Sequence, residues 1–439
     1  MPLKMKRRMK TLENGMRVIL TEKPGYSRSL FMIGVPAGGT NQLDLQNGTV
    51  VEHPLGCAHY LEHKMFRYKG HDVTYDLAAV QAKSNAYTTY TDTCYYFWTN
   101  ADPKKPLDLL IDFVQTLDLD QESVDKEKGI ILSEYSQYEQ DPEMRLIKET
   151  LTSLYSAHPL RYDILGKPDD IRNMREEDLR EFYNTWYDPS HLALVGVTGR
   201  DIDEVMGWIE EKEKEYPSKS SCRSEKILPE EPYEVSRESL SLAMDVDLSY
   251  AAIGVKLDPV DKEPEETVRE DYMLNLWLTG TISSINPEFQ KWIDEKIIGS
   301  MCLAEGDLDR DHGYILIEAQ TERPEEFFET ISRVLDERRP LCKEAFESVW
   351  IREKASSIRL MDSFDGLAGQ SVRQIFFGYD PLNDVDILNS ITLEDLNAWI
   401  ASQDFSRRVR TLIHPMDEED PESEDDGSVE PEAEESLSA

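Results

Sequence analysis

The pentapeptide HYLEH at residues 59–63 constrains this chain more than any other feature. On a helix, residues four apart lie on one face, so His59 and His63 can point at one ion while Glu62 lies beside it. Two imidazoles with a neighbouring carboxylate are typical of a catalytic metal centre, in which the carboxylate takes a proton from water. Residues 57–66 contain no Pro or Gly, which favours the required helix. The alternative is a solvated helix face that happens to carry two histidines.

A third ligand has to come from elsewhere in the chain, and a glutamate pair downstream is the candidate. Glu127 and Glu134 are seven residues apart and therefore share a helix face. The apolar residues Ile130, Ile131 and Tyr138 in the same segment predict an amphipathic helix. One glutamate could bind the ion while the other orients a ligand. Spacing alone does not choose between them, and both could instead lie on a solvated face.

Motifs beyond the pentapeptide extend over about the first 200 residues. The blocks are LENGMRV at 12–18, GCAHYLEHKMF at 56–66, NAYT at 85–88, the Glu127–Glu134 segment, HPL at 158–160, ILG at 164–166 and FYNTWYDPSHLALVGVTG at 182–199. In this order they resemble those of the pitrilysin/insulinase (M16) metallopeptidases, and most of all the small bacterial members and the processing-peptidase subunits.

The resemblance implies a role for each residue of the candidate site. It implies a zinc ion held by His59, His63 and Glu134. Glu62 would be the general base on a water molecule, and Glu127 would support catalysis from beside a ligand. The implied activity is that of a zinc metalloendopeptidase acting on short, unfolded peptides.

The resemblance also implies a substrate-binding strand at Asn85, Ala86, Tyr87 and Thr88. In the family, a peptide adds to an exposed strand edge beside the zinc, so main-chain hydrogen bonds supply affinity with little sequence demand. The alternative is an ordinary hairpin strand, because threonine and tyrosine favour strands in any case.

One family feature is missing from the second half of the chain. Family members usually carry an Arg and a Tyr there that act on the substrate, but residues 289–300, the corresponding stretch, contain neither. Arg373 and Tyr379 lie further on, in a different part of the half, and the role is not assigned to them. A partner is therefore expected, either a second copy or a paralogous M16 subunit that supplies the pair. The alternative function is a non-catalytic or weakly active peptide-binding subunit of such a heterodimer.

The length of 439 residues suits two domains. We expect a zinc-bearing domain at 1–218, a polar linker at 219–235, a second domain at 236–415 and a disordered acidic tail at 416–439. Strand-like and helical stretches in both halves predict an α+β fold. The resemblance implies two homologous halves, each an antiparallel-rich sheet with helices on one face, that form a clamshell when paired.

The charge and the cysteine content of the chain limit the classes of partner and the cellular compartment that we expect for it. The tail holds 12 acidic residues, which leaves −27 of the −39 net charge on the rest of the chain. This charge argues against nucleic acid and is compatible with basic peptides, although it could serve solubility alone. Five widely spaced cysteines without a CxxC motif, and no apolar run of about 18 residues, predict a cytoplasmic protein without a membrane span. The other six histidines are expected to pack or to lie on the surface.

Overall fold

The computed structural model describes residues 5–218 and 224–416, so the predicted acidic tail lies outside the described residues apart from Met416. The strands are β1 Lys6–Thr11, β2 Arg17–Glu22, β3 Ser29–Val35, β4 Leu43–Gln46, β5 Thr49–Glu52, β6 Arg67–Tyr68, β7 His71–Asp72, β8 Ala82–Thr88, β9 Thr93–Thr99, β10 Ala193–Thr198, β11 Ser224–Ile227, β12 Ser239–Met244, β13 Ser249–Lys256, β14 Cys302–Leu308, β15 Gly313–Thr321 and β16 Arg408–Pro415. The α-helices are α1 Cys57–Met65, α2 Thr74–Ala79, α3 Lys104–Val114, α4 Gln121–Gln140, α5 Pro142–Leu154, α6 Pro168–Asn173, α7 Glu176–Trp186, α8 Ile202–Glu213, α9 Pro264–Thr281, α10 Phe289–Asp294, α11 Pro324–Glu337, α12 Lys343–Asp362, α13 Phe364–Phe377, α14 Asp384–Ser390 and α15 Leu393–Ser402.

The two large sheets repeat one topology. The first has the strand order β1-β2-β10-β3-β9-β8 and the second has the order β12-β16-β13-β15-β14. When β2, β3, β8, β9 and β10 are matched with β12 to β16 in chain order, every neighbour agrees. In both sheets one pair is parallel, β2 with β10 and β12 with β16, and the others are antiparallel. The predicted α+β fold of two homologous halves, with antiparallel-rich sheets, is therefore confirmed.

Each half covers one face of its sheet with its own helices, and the opposite face is covered by a helix from the other half. On α13, Leu367 and Val372 pack against Met32 and Val195 of the first sheet. On α5, Leu146 packs against apolar side chains of the second sheet. Because apolar area is removed from water on both faces of both sheets, the exchanged helices tie the halves into one body.

The segment between the halves is bound to both of them. Residues 219–223 lie outside the described residues, but 224–227 form β11, which pairs antiparallel with β4. Further on, the Glu231 carboxylate accepts the backbone N–H groups of residues 156–158 at 2.6–2.9 Å and an ion pair from Lys256 at 2.6 Å. The predicted linker at 219–235 thus contains β11 and a glutamate, Glu231, whose carboxylate contacts both halves. The domain boundaries stay a prediction.

No helix within residues 5–218 and 224–416 combines the length and the apolar character needed to cross a membrane. The cysteines described, at positions 57, 94, 302 and 342, are all free thiols.

Candidate metal centre

The helix that carries the pentapeptide begins at a glycine that no other residue could replace without strain. Gly56 has φ +84°, and a Cβ atom there would lie 2.2 Å from the Leu165 carbonyl oxygen. From this point α1 runs without a break, as the sequence predicts. The Tyr60 hydroxyl donates to the Val124 carbonyl oxygen of α4 at 2.6 Å. This bond helps fix α1 against the helix that carries the candidate third ligand.

Helix α4 turns both predicted glutamates toward α1. Val124 and Ile131 are fully buried on this helix, and Glu127 and Glu134 each come three residues later. Residues three apart lie on nearly the same helix face, so the two glutamates line the surface that packs on α1. Of the apolar residues that predicted this helix, Ile130 is in fact more than half exposed.

Three donor atoms converge at the predicted zinc site. Glu134 Oε2 lies 3.7 Å from His59 Nε2 and 3.5 Å from His63 Nε2. The two imidazole rings have centroids 4.7 Å apart. All three side chains therefore present one atom each to a common point, although 71–75 residues separate the glutamate from the histidines.

Glu127 lies behind this point and sets the tautomer of one ligand. Its Oε1 is 3.1 Å from His63 Nδ1, and Lys64 Nζ donates to its Oε2 at 2.9 Å. The hydrogen bond from His63, followed by the contact with Lys64, lowers the pKa of Glu127 to about 2. An ionised Glu127 holds the proton of His63 on Nδ1, so Nε2 keeps its lone pair for a metal.

His59 is held in its neutral form by its surroundings. Burial, with the nearby His63 second, lowers the pKa of His59 to about 3. Its ring is therefore uncharged at neutral pH, which is the form that binds a metal. Its Nδ1 is buried and has no hydrogen-bond partner among the described residues.

Glu62 stands beside the three donors and makes a separate contact. The Thr88 hydroxyl of β8 donates to Glu62 Oε2 at 2.7 Å. Burial raises the pKa of Glu62, and the hydrogen bond from Thr88 opposes that rise. A carboxylate with a raised pKa is better matched to a proton transfer near neutral pH than a solvated one.

The donor set fits a zinc ion. Ligand atoms about 2.1 Å from a tetrahedral zinc lie roughly 3.4 Å from one another. The Glu134 Oε2 distances of 3.5 and 3.7 Å to the two imidazoles match this spacing and are too long for hydrogen bonds. Two imidazoles and one carboxylate are also the ligand types of catalytic zinc sites that keep a fourth position open.

A second histidine cluster, which sequence reasoning did not foresee, does not offer the ligand atoms that a zinc site needs. His158, Asp311 and His312 bring ligand atoms within 4.8 Å of one another where the two halves meet. The Leu160 N–H donates to His158 Nδ1 at 3.2 Å, so the ring proton of His158 belongs on Nε2. Both nitrogens of His312 face carboxylates, Asp311 at 2.6 Å and Asp307 at 3.3 Å. Neither imidazole offers a free lone pair, and the cluster is better described as a buried ion network.

The predicted substrate strand lies at the open end of the first sheet. Asn85, Ala86, Tyr87 and Thr88 belong to β8, which pairs with β9 on one side and is the last strand of the sheet. Side chains alternate along it, so Thr88 faces Glu62 while Tyr87 packs on the opposite face.

The Arg and Tyr that lie downstream in the second half are arranged for other contacts. Tyr379 is buried, and its hydroxyl donates to Asp384 Oδ1 at 2.8 Å. The Arg373 guanidinium lies over the Phe377 ring, 5.6 Å from its centroid. Neither side chain has a described contact with the metal-centre residues, which agrees with leaving the family role unassigned.

Sequence reasoning missed two partners of the site. Lys64 supports Glu127, and the Tyr138 hydroxyl donates to Glu134 Oε1 at 3.3 Å. Tyr138 is four residues after Glu134, so helical periodicity could have found it. Lys64 is adjacent to His63 in sequence, but nothing in the spacing shows that its side chain reaches α4.

Two family models match the chain in sequence. One, described as insulinase (peptidase family M16), matches residues 20–168, and the other, described as the peptidase M16 inactive domain, matches residues 173–348. The uncharacterized zinc protease YmfH of Bacillus subtilis is 27% identical over 403 residues, which span 91% of this chain and 94% of that protein. A mitochondrial-processing peptidase subunit beta of Lentinula edodes is 26% identical over 201 residues, 45% of this chain and 41% of that one.

Solved structures agree with the sequence matches. A crystal structure of an M16-like peptidase from Alicyclobacillus acidocaldarius has a TM-score of 0.90 and 29% identity, covering 95% of this chain and 100% of the other. A protease from Helicobacter pylori has a TM-score of 0.78 at 18% identity, covering 94% and 100%, and so shares the fold. The two family models follow one another along the chain and together cover most of residues 20–348, and the chain therefore belongs to the insulinase family of peptidases, family M16.

Proposed function

We propose that the chain is a zinc-dependent endopeptidase that cleaves short, unfolded peptides. The observation that carries the proposal is the convergence of His59 Nε2, His63 Nε2 and Glu134 Oε2 at zinc-ligand spacing, with Glu62 beside them and outside the ligand set. These three side chains would hold the ion. A zinc ion bound there supplies the positive charge that makes a water molecule acidic near neutral pH and polarises a peptide carbonyl.

Glu62 performs the proton transfers in this proposal. Its carboxylate takes a proton from the attacking water and later gives it to the amine that leaves when the peptide bond breaks. The hydrogen bond from Thr88 orients the carboxylate. Glu127 acts through His63, because it fixes the ring and its tautomer rather than touching the substrate.

The substrate would bind along β8 as an additional strand. Backbone pairing selects extended chains and makes little demand on sequence, which suits short, unfolded peptides. Thr88 belongs to β8 and contacts Glu62, so a paired peptide would have its main chain next to the base. Asn85, Ala86 and Tyr87 would supply the remaining length of that edge.

The proposal is tested with the purified chain, added zinc and a mixed library of short peptides. The Glu62→Gln variant should bind zinc stoichiometrically by elemental analysis and lose cleavage. Glu122→Gln, a matched change at an exposed position on α4, should cleave as the wild type does. A Glu62→Gln variant that cleaves at the wild-type rate would show that another group acts as the base.

A second candidate function follows from the missing Arg/Tyr pair. Residues 289–300 contain neither residue, the model that matches 173–348 is described as an inactive domain, and relatives include subunits of mitochondrial-processing peptidase. The chain would then be a weakly active or non-catalytic peptide-binding subunit until a second copy or a paralogous M16 subunit completes a clamshell. Zinc-loaded protein that cleaves nothing alone, but cleaves with such a partner, would identify this case. The four cysteines among the described residues are free thiols, which supports a reducing, cytoplasmic setting for either function.

A further inference from the structure

A polar cavity of about 500 Å³ lies in the second half, between α9, α12 and α13. In the first half, α1 lies between β3 and β8 along the chain, and α4 follows α3. In the second half, α9 lies between β13 and β14, and α12 follows α11. By this match α9 and α12 correspond to α1 and α4. The cavity therefore occupies the position in the second half that the metal centre occupies in the first.

The lining of the cavity does not offer the ligand types of a zinc site. No histidine or cysteine occurs among the described residues that line it. Its charged groups are carboxylates on α9 and α12 and guanidinium groups on α12 and α13. A volume of this size lies within the range of small-molecule sites.

The two guanidinium groups of the lining have no carboxylate at ion-pair distance within the described residues. Neither Arg359 nor Arg373 forms a side-chain hydrogen bond there, and the Arg373 guanidinium lies over the Phe377 ring. The charge of Arg373 acts on Asp271, and that of Arg359 on Glu353, only across a longer separation. A guanidinium offers five N–H donors in a planar fork that matches a carboxylate. Two such groups at one cavity favour an anionic group on the ligand.

Carboxylates of the same cavity lack cationic partners at ion-pair distance. Asp271 Oδ1 accepts the Leu308 N–H at 3.1 Å, and its other oxygen makes no recorded hydrogen bond within the described ranges. Glu353 forms neither a hydrogen bond through its carboxylate nor an ion pair there. Burial raises the pKa of both groups, that of Asp271 to about 7, so an ammonium group placed between them would be favourable. Asp384 differs, because the Tyr379 hydroxyl already donates to it.

We propose that this cavity binds a short peptide with free termini. The α-carboxylate of the ligand would pair with Arg373 and Arg359, and its α-ammonium would lie between Asp271 and Glu353. A ligand that carries both charges would reach both sets, which do not lie at ion-pair distance from each other among the described residues. The site is separate from the metal centre in the first half, so occupancy does not require zinc or cleavage.

Thermal denaturation and calorimetric titration of the intact chain test this proposal. The Glu62→Gln variant serves as the background, so that no peptide is consumed during the measurement. The probes are dipeptides that combine alanine, leucine, lysine and glutamate, each with free termini and in an acetylated, amidated form. At least one free dipeptide should bind and raise the denaturation midpoint, and its doubly blocked form should bind at least tenfold more weakly.

Single variants then assign the binding to the cavity. Arg373→Gln and Asp271→Asn should each weaken the dipeptide at least tenfold, and the asparagine can still accept the Leu308 N–H, so folding is preserved. Arg352→Gln, an exposed arginine on α12 outside the cavity lining, should bind as the parent does. The proposal is overturned if no dipeptide binds, if blocking both termini has no effect, or if both cavity variants bind with the parent's affinity.

Discussion

The strongest test of how the halves are joined is removal of one charge, in the variant Glu231→Gln. The Glu231 carboxylate accepts the backbone N–H groups of Ser156, Ala157 and His158 at 2.9, 2.6 and 2.6 Å. It also pairs with the buried Lys256 of β13 at 2.6 Å. One side chain in the segment between the halves thus satisfies three backbone donors of the first half and one ammonium group of the second.

The expected loss of stability follows from these contacts. A hydrogen bond to a charged group contributes about 1.5–3 kcal/mol, and breaking a buried ion pair by removing one partner costs about 3–5 kcal/mol. Glutamine keeps one acceptor oxygen, but its NH₂ group faces donors, and Lys256 retains only the carbonyl oxygens of Pro232 and Glu234. We therefore expect Glu231→Gln to lower the free energy of unfolding by about 3–5 kcal/mol, because the losses overlap and do not add.

Urea unfolding followed by tryptophan fluorescence measures this difference, with Glu230→Gln as an exposed neighbouring control that should change little. Burial alone would raise the pKa of Glu231, but Lys256 and the backbone donors outweigh it and hold the pKa below 4.5. The stabilisation is therefore fully present above about pH 4.5 and is lost as the pH falls through the lower folded-state value. A difference in unfolding free energy below 1 kcal/mol at pH 7, or one that grows in acid, would show that the ionised Glu231 does not stabilise the contact between the halves.

Two further changes test the metal centre and the buried charges. Glu127→Gln should lower zinc affinity about 10–100-fold in a chelator competition while the circular dichroism spectrum stays that of the wild type, because His63 loses the group that fixes its tautomer; unchanged affinity would contradict that role. Burial raises the pKa of Glu213 to about 7 from 4.5, so the protonated form is favoured on folding, and stability should fall by about 3 kcal/mol as the pH rises from 4.5 through 7. Glu213→Gln should remove this slope from the unfolding free energy, and a slope equal to that of the wild type would show that other groups cause it.

The architecture could be predicted from the sequence only in part. Two apolar, strand-like runs of the second half, Tyr250–Val255 and Tyr314–Ala319, predict strands from sequence alone, and they lie within β13 and β15. The exchange of α5 and α13 between the halves could not be predicted. The buried stripes that contain Leu146 and Val372 show that each helix covers an apolar surface, but periodicity does not say which sheet provides that surface.

The candidate site, too, could be predicted from the sequence only in part. Helical spacing alone brings His59, Glu62 and His63 to one place, because the three residues lie within five positions of one helix. Spacing left Glu127 and Glu134 equivalent, since both occur on one stripe of α4. The two glutamates differ in the atom of α1 that each one reaches: Glu134 lies near His63 Nε2, and Glu127 lies near His63 Nδ1. This difference depends on how α1 and α4 pack against each other, and the local sequence of either helix does not show that packing.

The corresponding edge strands of the two sheets differ, and the difference bears on the proposal that a peptide binds along β8. On β14, the side chain of Asn275 exchanges two hydrogen bonds with the Gly306 backbone, both at 2.9 Å, and this closes the outer edge. On β8, the side-chain hydrogen bond to the strand backbone within the described residues is local: Asn85 Oδ1 accepts the Ala86 N–H at 2.9 Å. Under the proposed function, an incoming peptide would displace that contact and pair with the backbone of β8. The repeated topology thus presents two corresponding edges, and the one without a side-chain closure lies beside Glu62, where the proposed cleavage would occur.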